Sequence, residues 1–206
     1  FSAENLAHTR EELRRLNLTI PCLDSDCCIH LRENEKAVDA EIEAYVTLAQ
    51  QLGAPYVRIM ATAPVPQPMG TIDEGYVRER AVRLGAMART HGVRLLIETH
   101  GVWSDSAKLA RLLSLIGSDG VGALWDVHHP YRFMGERPQT TFDNLKPWLC
   151  HTHFKDSLRT GDGYRYALPG FGDVPIAEAV RVLEAGQYAG FYSLEWVKRW
   201  DTTLEE

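Results

Sequence analysis

Short apolar runs alternate with longer amphipathic stretches along the whole chain. Six of the runs have the length and composition of buried strands, and we predict strands at about 18–23, 56–60, 93–98, 121–126, 149–154 and 190–195. The stretches between them carry apolar residues at helical spacing, and we predict helices at about 3–16, 35–52, 73–90, 104–116, 140–147 and 175–186. This alternation predicts a parallel sheet with helices packed outside it.

The regular repeat predicts an incomplete barrel of alternating strands and helices. A closed (β/α)8 barrel has eight strands and typically about 250 residues, whereas this chain has 206 residues and six predicted strands. We therefore expect one α/β domain over residues 1–206, a TIM barrel whose first two strands and part of whose last helix lie outside this chain. The chain starts at Phe1 rather than Met, which agrees with an N-terminally incomplete sequence.

Four of the predicted strands end in a residue that can bind a metal ion. These residues are Glu98, Asp126, His153 and Glu195. Because the carboxyl ends of barrel strands meet at one mouth, we expect the four side chains to converge there. Three carboxylates and one imidazole suit a divalent cation that keeps positions open for substrate. Each residue taken alone is also explained as a capping or surface residue, so the hypothesis rests on their coincidence.

Histidines near these strand ends are further candidates. His128 and His129 follow Asp126, and the spacing of Asp126 and His129 favours His129 as the one that faces the site. His151 and His153 alternate on one strand and therefore point to the same side of it. His151 lies one layer deeper, and we expect it to be a neutral core histidine with a satisfied hydrogen bond.

Charge and composition favour a small-molecule partner. The net charge is -6 at pH 7, so there is no basic field to hold a nucleic-acid backbone. The longest apolar runs fall short of the roughly 20 residues of a membrane span, and the four cysteines show no paired CxxC spacing. We expect a cytoplasmic protein with reduced thiols and without a nucleic-acid or membrane partner, and we leave homo-oligomerisation open.

Five motifs together resemble the xylose isomerase-like barrel family, the sugar phosphate isomerases and epimerases. They read Ile-Glu-Thr-His-Gly at 97–101, Trp-Asp-Val-His-His at 125–129, His-Phe-Lys-Asp at 153–156, Leu-Pro-Gly-Phe-Gly-Asp-Val-Pro at 168–175 and Gly-Phe-Tyr-Ser-Leu-Glu at 190–195. The resemblance covers about residues 18–197. It is specific for the superfamily and poorly specific for substrate.

The resemblance implies a metal-dependent reaction at the four strand-end residues. It implies that Glu98, Asp126, His153 and Glu195 bind one divalent ion, such as Mn, Mg, Co or Zn. A cation that bridges a carbonyl and an adjacent hydroxyl oxygen lowers the barrier to removing the neighbouring C–H proton, which gives an enediolate. Glu98 and Glu195 are then the expected base and acid on opposite sides of the substrate. The implied function is an isomerase or epimerase of a ketose, a related hydroxy-carbonyl sugar or a polyol.

The resemblance also implies residues that support this reaction. His129, His100 and Arg159 are expected to bind substrate. Arg159 lies six residues after the histidine ligand, where ketose 3-epimerases have a substrate-contacting arginine, and a solvated loop arginine remains the alternative reading. Lys155 and Asp156 are expected to form a second layer that orients the histidine ligand.

Three other functions remain open. The first is a metal-dependent dehydratase resembling the inosose or 3-dehydroshikimate type, in which the same enolate expels a β-hydroxyl. The second is a nuclease resembling endonuclease IV, which shares the Asp-x-x-His pair and the strand-end carboxylates. Met60 and Tyr164 stand where that family offers histidines, and the acidic net charge further disfavours DNA cleavage. The third is a non-catalytic barrel that acts as a binding module.

Overall fold

The fold was obtained as a computed structural model, which describes residues 3–63, 68, 70–161, 163–199 and 204. The α-helices of this part of the chain are α1 (Ala3–Arg15), α2 (Glu35–Leu52), α3 (Glu74–Thr90), α4 (Ser106–Ile116), α5 (Pro138–Leu145) and α6 (Ile176–Ala185). The strands are β1 (Cys22–Cys28), β2 (Tyr56–Met60), β3 (Arg94–Glu98), β4 (Val121–Asp126), β5 (Leu149–Phe154), β6 (Asp156–Thr160), β7 (Gly163–Ala167) and β8 (Tyr192–Leu194). Short helical turns lie at Gly101–Ser104, Pro130–Met134 and Val197–Arg199.

Six strands form one parallel sheet in the order β1-β2-β3-β4-β5-β8. The sheet is open in the described residues, with β1 and β8 as its edges, and a separate antiparallel hairpin is formed by β6 and β7. This arrangement confirms the predicted α/β fold, a TIM barrel sheet with six of the eight strands of a closed barrel. Among the helices described, none combines the length and apolarity needed to cross a bilayer.

Residues along each strand alternate between an outer core and an inner one. On β3, Leu95 and Ile97 belong to the main core beneath the helices, whereas Leu96 belongs to a smaller inner cluster with Leu124 of β4. Leu96 and Leu124 each precede a strand-end acid by two positions. The inner apolar cluster is therefore a floor, and the strand-end side chains form a polar layer above it.

The first strand begins later than the sequence pattern predicts. It runs from Cys22 to Cys28 instead of 18–23, and it includes the polar residues Asp24, Ser25 and Asp26. The inner face of this edge strand carries Asp24 and Asp26, whose carboxylates pair with cationic side chains of other strands, so polar residues are stabilised there.

The long polar segment that was expected to be a loop, 157–174, contains the β6–β7 hairpin. Its strands have five residues each; β6 begins with two buried polar residues, Asp156 and Ser157, and β7 has only intermediate and exposed positions, so both lack the apolar run of a core strand. The other predicted bounds agree with the structure to within about two residues.

Candidate metal centre

The carboxyl ends of four strands bring the predicted ligands together. Glu98 ends β3, Asp126 ends β4, His153 lies near the end of β5, and Glu195 follows β8. One ligand atom from each residue lies within 4.8 Å of the others. The first three residues are buried, and the side chain of Glu195 is 17% exposed. The structure therefore places all four in one cluster that opens toward Glu195.

His153 presents an unpartnered nitrogen to this cluster. Its Nε2 lies 3.3 Å from Oδ2 of Asp24. Its Nδ1 is buried, has no hydrogen-bond partner among the described residues, and lies 4.0 Å from Oε1 of Glu98 and 3.7 Å from Oε2 of Glu195. Buried polar atoms are usually hydrogen-bonded, so a nitrogen left open between two carboxylates fits a metal ligand. Burial lowers the pKa of His153, but the hydrogen bond to Asp24 and the nearby glutamates outweigh it and raise this pKa to about 9.

Glu98 is fixed by a buried arginine. Nη1 of Arg58, on β2, donates to Oε2 of Glu98 at 3.0 Å, and both side chains are buried. The other carboxylate oxygen, Oε1, lies 3.8 Å from Nδ1 of His129 and faces the cluster. Burial alone would raise the pKa of Glu98, but Arg58, followed by His153 and Lys155, outweighs it and holds this pKa at about 2. Glu98 is therefore an ionised carboxylate with one oxygen directed inward.

Lys155 joins the other two carboxylates. Its Nζ lies 2.5 Å from Oδ2 of Asp126 and 2.5 Å from Oε2 of Glu195, and its side chain is buried. The second oxygen of Asp126, Oδ1, accepts the backbone N–H of His128 at 2.9 Å. Burial disfavours the charged form of Lys155, but Asp126 and Glu195 outweigh it and raise the lysine pKa. The cluster thus holds a buried ammonium as well as three carboxylates.

Two of the neighbouring histidines are held in defined orientations. Nδ1 of His129 donates to the carbonyl oxygen of Thr99 at 2.9 Å, so its Nε2 is left as an acceptor. His128 instead contacts Oγ of Ser157 through Nε2 at 2.9 Å. Burial lowers the pKa of both histidines, that of His128 to about 3. Asp126, His128 and His129 also form a second group of possible ligands, which shares Asp126 with the first.

His100 and His151 take different positions around the cluster. The ring of His100 packs edge-on against His129 with centroids 5.0 Å apart, beside the strand-end layer. His151 is buried one layer below His153, and its Nε2 lies 3.1 Å from Oγ of Ser193. Burial lowers the pKa of His151 to about 4, so it is the neutral, hydrogen-bonded core histidine that its place on the strand predicts.

Lys155 and Asp156 were expected to orient the histidine ligand, but both make other contacts. His153 pairs with Asp24, and Lys155 contacts the carboxylates of Asp126 and Glu195 instead. The Asp156 carboxylate accepts four backbone N–H groups, those of Ser157, Gly170, Gly172 and Val174. Asp156 therefore anchors the segment after the hairpin, and the expectation that it orients the histidine ligand was wrong. Three of these four N–H groups, those of Gly170, Gly172 and Val174, belong to that segment.

Arg159 lies on β6, where it pairs with Tyr164 across the β6–β7 hairpin. It is exposed on β6, and its backbone N–H donates to Oδ2 of Asp173 at 2.9 Å. Its predicted contact with substrate stays a prediction. The tyrosines of β7 pack on the site through aromatic contacts: the ring centroid of His128 lies 5.1 Å from that of Tyr164 and 5.7 Å from that of Tyr166.

Arg58 and Asp24 are the site residues that the sequence analysis missed. Arg58 interrupts an otherwise apolar run, Tyr-Val-Arg-Ile-Met, in which the other inner residues are hydrophobic. A single charge inside a buried strand is costly unless it is paired, so this interruption was a usable signal. Asp24 gave a weaker signal, because acidic residues in an edge strand are ordinary.

A family model described as the xylose isomerase-like TIM barrel matches residues 1–206. The chain belongs to this family. Among curated proteins, none matches the sequence significantly.

Solved structures of xylose isomerase-like proteins superimpose on nearly the whole chain. A xylose isomerase-like TIM barrel protein from Mycobacterium smegmatis, in complex with magnesium, has a TM-score of 0.76 and 21% identity over 95% of this chain and 72% of its own. The probable 3-DHS dehydratase AsbF of Bacillus anthracis, involved in petrobactin synthesis, has a TM-score of 0.77 and 20% identity over 92% and 76% of the two chains. D-psicose 3-epimerase of Clostridium cellulolyticum H10, solved with D-tagatose, has a TM-score of 0.75 and 15% identity over 95% and 70%. At these identities, the similarity establishes the shared fold.

Proposed function

We propose that this protein is a divalent-metal-dependent isomerase or epimerase of a ketose or a related hydroxy-carbonyl sugar. The observation that carries the proposal is the unpartnered, buried Nδ1 of His153, which lies between the carboxylates of Glu98 and Glu195. Together with Asp126 these residues supply three oxygen ligands and one nitrogen ligand, a set that Mn, Mg, Co and Zn accept with positions left for substrate. The magnesium bound by the structural neighbour from Mycobacterium smegmatis supports the same class of ion.

When bound, the ion would polarise a substrate carbonyl and stabilise the negative charge that develops on it. The remaining work falls to side chains of this chain. Glu195 is the candidate for moving the proton of the adjacent carbon, because its side chain is 17% exposed and its Oε1 lies 4.0 Å from Nη1 of Arg58, beyond hydrogen-bond distance. Glu98 is held by Arg58 through one oxygen and faces the cluster with the other. We therefore assign ion binding mainly to Glu98 and proton transfer mainly to Glu195, with Glu98 as its partner on the other side of the substrate.

The histidines beside the cluster orient the substrate in this proposal. Because Nδ1 of His129 donates to the carbonyl oxygen of Thr99, its free Nε2 is set to accept a hydrogen bond from a substrate hydroxyl. His100 packs against this ring and extends the same wall. Arg159 is proposed to reach the distal end of the substrate from the hairpin.

A dehydratase is the second candidate. Dehydration begins with the same proton abstraction beside a carbonyl and differs only in that the enolate then expels a β-hydroxyl. The structural similarity to the probable 3-DHS dehydratase AsbF supports keeping this alternative. The epimerase reading takes its support from the similarity to D-psicose 3-epimerase.

Deuterium incorporation tests both reactions. The protein would be loaded with Mn²⁺, exchanged into D₂O, and incubated separately with D-fructose, D-psicose, D-tagatose and 3-dehydroshikimate. Proton NMR is expected to show loss of the C–H signal next to the carbonyl for at least one ketose, together with a new isomer or epimer. Ultraviolet absorbance of a conjugated product, from 3-dehydroshikimate only, would instead identify the dehydratase.

Glu195→Gln is the matched control. It keeps the size of the side chain but removes its ability to accept a proton, so we expect a folded protein by circular dichroism whose exchange rate falls at least about 100-fold. Exchange at the wild-type rate by this variant would remove Glu195 from the mechanism. A protein that binds Mn²⁺ but exchanges deuterium into none of the four compounds would contradict the proposed function.

A further inference from the structure

The ammonium group of Lys155 lies inside the cluster of predicted metal ligands. Its Nζ is 2.5 Å from Oδ2 of Asp126 and 2.5 Å from Oε2 of Glu195. The lysine side chain is 6% exposed and that of Asp126 is fully buried. Lys155 therefore places a positive charge beside two carboxylates that are predicted metal ligands.

The two oxygens held by Lys155 are the ones that face the centre of the cluster. Oε2 of Glu195 also lies 3.7 Å from the open Nδ1 of His153. The other oxygen of Asp126, Oδ1, is committed to the backbone N–H of His128. A metal ion ligated by Asp126 and His153 would therefore need oxygens that the ammonium now occupies.

The charges of the cluster also disfavour a metal ion and the ammonium on the same oxygens. In their ionised forms Glu98, Asp126 and Glu195 contribute three negative charges, and the guanidinium of Arg58 offsets one of them at Glu98. The ammonium of Lys155 offsets a second. Two cations that contact the same carboxylate oxygens in a buried site repel each other strongly. A dication and the Lys155 ammonium therefore cannot both keep short contacts with Oδ2 of Asp126 and Oε2 of Glu195 without a large cost in free energy.

We propose that Lys155 is a tethered cation that competes with the divalent ion for Asp126 and Glu195. In the metal-free protein its ammonium takes the place of the ion and keeps the carboxylates from repelling one another. When the ion binds, Nζ leaves at least one of the two oxygens. Lys155 thereby stabilises the empty site and weakens the affinity for the ion. This inference rests on the metal site of the proposed function.

The competition predicts that removing the charge has opposite effects on the two states. Lys155→Met keeps the length and apolar volume of the side chain but lacks the ammonium. Titration calorimetry with Mn²⁺ is expected to show affinity tighter than that of the wild type by about tenfold or more. Thermal unfolding in EDTA is expected at a lower temperature than for the wild type, because the carboxylates are left unpaired.

Two variants serve as controls. Lys155→Arg keeps the positive charge and should bind Mn²⁺ no more tightly than the wild type. Lys108→Met removes a lysine of α4 that pairs with Glu74 away from the cluster, and it should leave the affinity unchanged. A Lys155 with a purely structural role would lose both stability and Mn²⁺ affinity on mutation to Met, and that result would overturn the proposal.

A direct observation covers the case in which Lys155→Met fails to fold. Crystals of the wild-type protein with and without Mn²⁺, located by its anomalous scattering, are expected to show Nζ displaced from Asp126 or Glu195 in the loaded form. Retention of both 2.5 Å contacts beside a bound Mn²⁺ would refute the inference while leaving the metal site intact. If the wild-type protein binds no Mn²⁺ at all, the proposed function and this inference both fail.

Discussion

Asp24 and His153 meet across the open sheet, with Oδ2 of the acid 3.3 Å from Nε2 of the imidazole. Asp24 lies on β1 and His153 on β5, and β2, β3 and β4 separate these strands in the sheet. The contact is therefore made through the interior of the barrel, and it turns Nδ1 of the histidine toward the other ligands. A carboxylate in this position also fixes the tautomer of a metal-binding histidine and raises its basicity.

Asp24→Asn tests this orienting role. The amide cannot supply the negative charge that raises the basicity of His153, so we expect Mn²⁺ affinity to fall by about 10-fold to 100-fold with little change in stability. Titration calorimetry measures the affinity. Asp26→Asn is the matched control on the same inner face of β1, since Asp26 pairs with Arg58 rather than His153. Equal losses in the two variants would show that general negative charge, and not orientation, is what matters.

Arg58→Met is expected to be among the most destabilising substitutions in the site. It removes the 3.0 Å partner of Glu98, whose side chain is 1% exposed, and leaves an unpaired buried carboxylate. Breaking a buried pair from one side costs about 3–5 kcal/mol, measured here as the free energy of unfolding by urea in EDTA. Arg58→Lys should recover part of the loss because it restores the charge. A loss below about 1 kcal/mol for the Met variant would mean that Glu98 finds another cation.

Two glycines of α3 are expected to respond in opposite directions to alanine. A Cβ at Gly85 would lie 2.5 Å from Cγ2 of Val121 and 3.2 Å from the backbone of Gly120, so Gly85→Ala forces the helix away from β4. We expect it to cost about 1–3 kcal/mol. At Gly75 the nearest atom would be 3.4 Å away, and Gly75→Ala should stabilise the helix by up to about 1 kcal/mol. Urea unfolding measures both, and a stabilising Gly85→Ala would refute the close approach.

His128 is expected to make the metal-free protein less stable in acid. Burial lowers its pKa to about 3 in the folded protein, whereas the unfolded chain has the ordinary value of about 6.5. The unfolded state therefore binds a proton first as the pH falls below about 6.5, and stability is lost progressively down to about pH 3. At pH 5 this histidine should account for about 2 kcal/mol.

His128→Gln isolates that contribution. Glutamine can keep the hydrogen bond to Ser157 but does not titrate. Urea unfolding in EDTA at pH 7.5 and pH 5.0 should therefore show a difference between the two pH values that is smaller by about 2 kcal/mol in the variant. The other buried histidines are present in both proteins and cancel in this comparison. An unchanged difference would contradict the depressed pKa.

The strands that carry apolar runs were predictable from sequence, and so were the residues that end them. The run Leu95–Ile97 is buried on both faces of the sheet, so its uninterrupted hydrophobicity predicts a strand. An acid directly after such a run is unusual, and this made Glu98 recognisable as a candidate ligand. β1 offered no such contrast. Its polar residues are stabilised by Arg58 and His153, which lie 32 or more positions away along the chain, and no local pattern records such a partner.

The role of Lys155 shows the same limit. Its place directly after the β5 strand suggested a residue near the histidine ligand, and the structure does put it there. Which neighbour it contacts depends on how strands β4, β5 and β8 bring Asp126 and Glu195 alongside it. Spacing along the chain predicts that Lys155 lies near the histidine ligand. The carboxylates with which it pairs depend on the curvature of the whole sheet.

The acidic side chains of β1 couple local opening of this strand to the ion. This strand pairs only with β2 in the described residues, yet it carries both Asp24 and Asp26. Any opening of β1 would release His153 and Arg58 together. Conversely, an ion bound through His153 would hold β1 closed. The rate of amide hydrogen exchange along 22–28 would therefore report whether the ion is bound on the opposite side of the barrel.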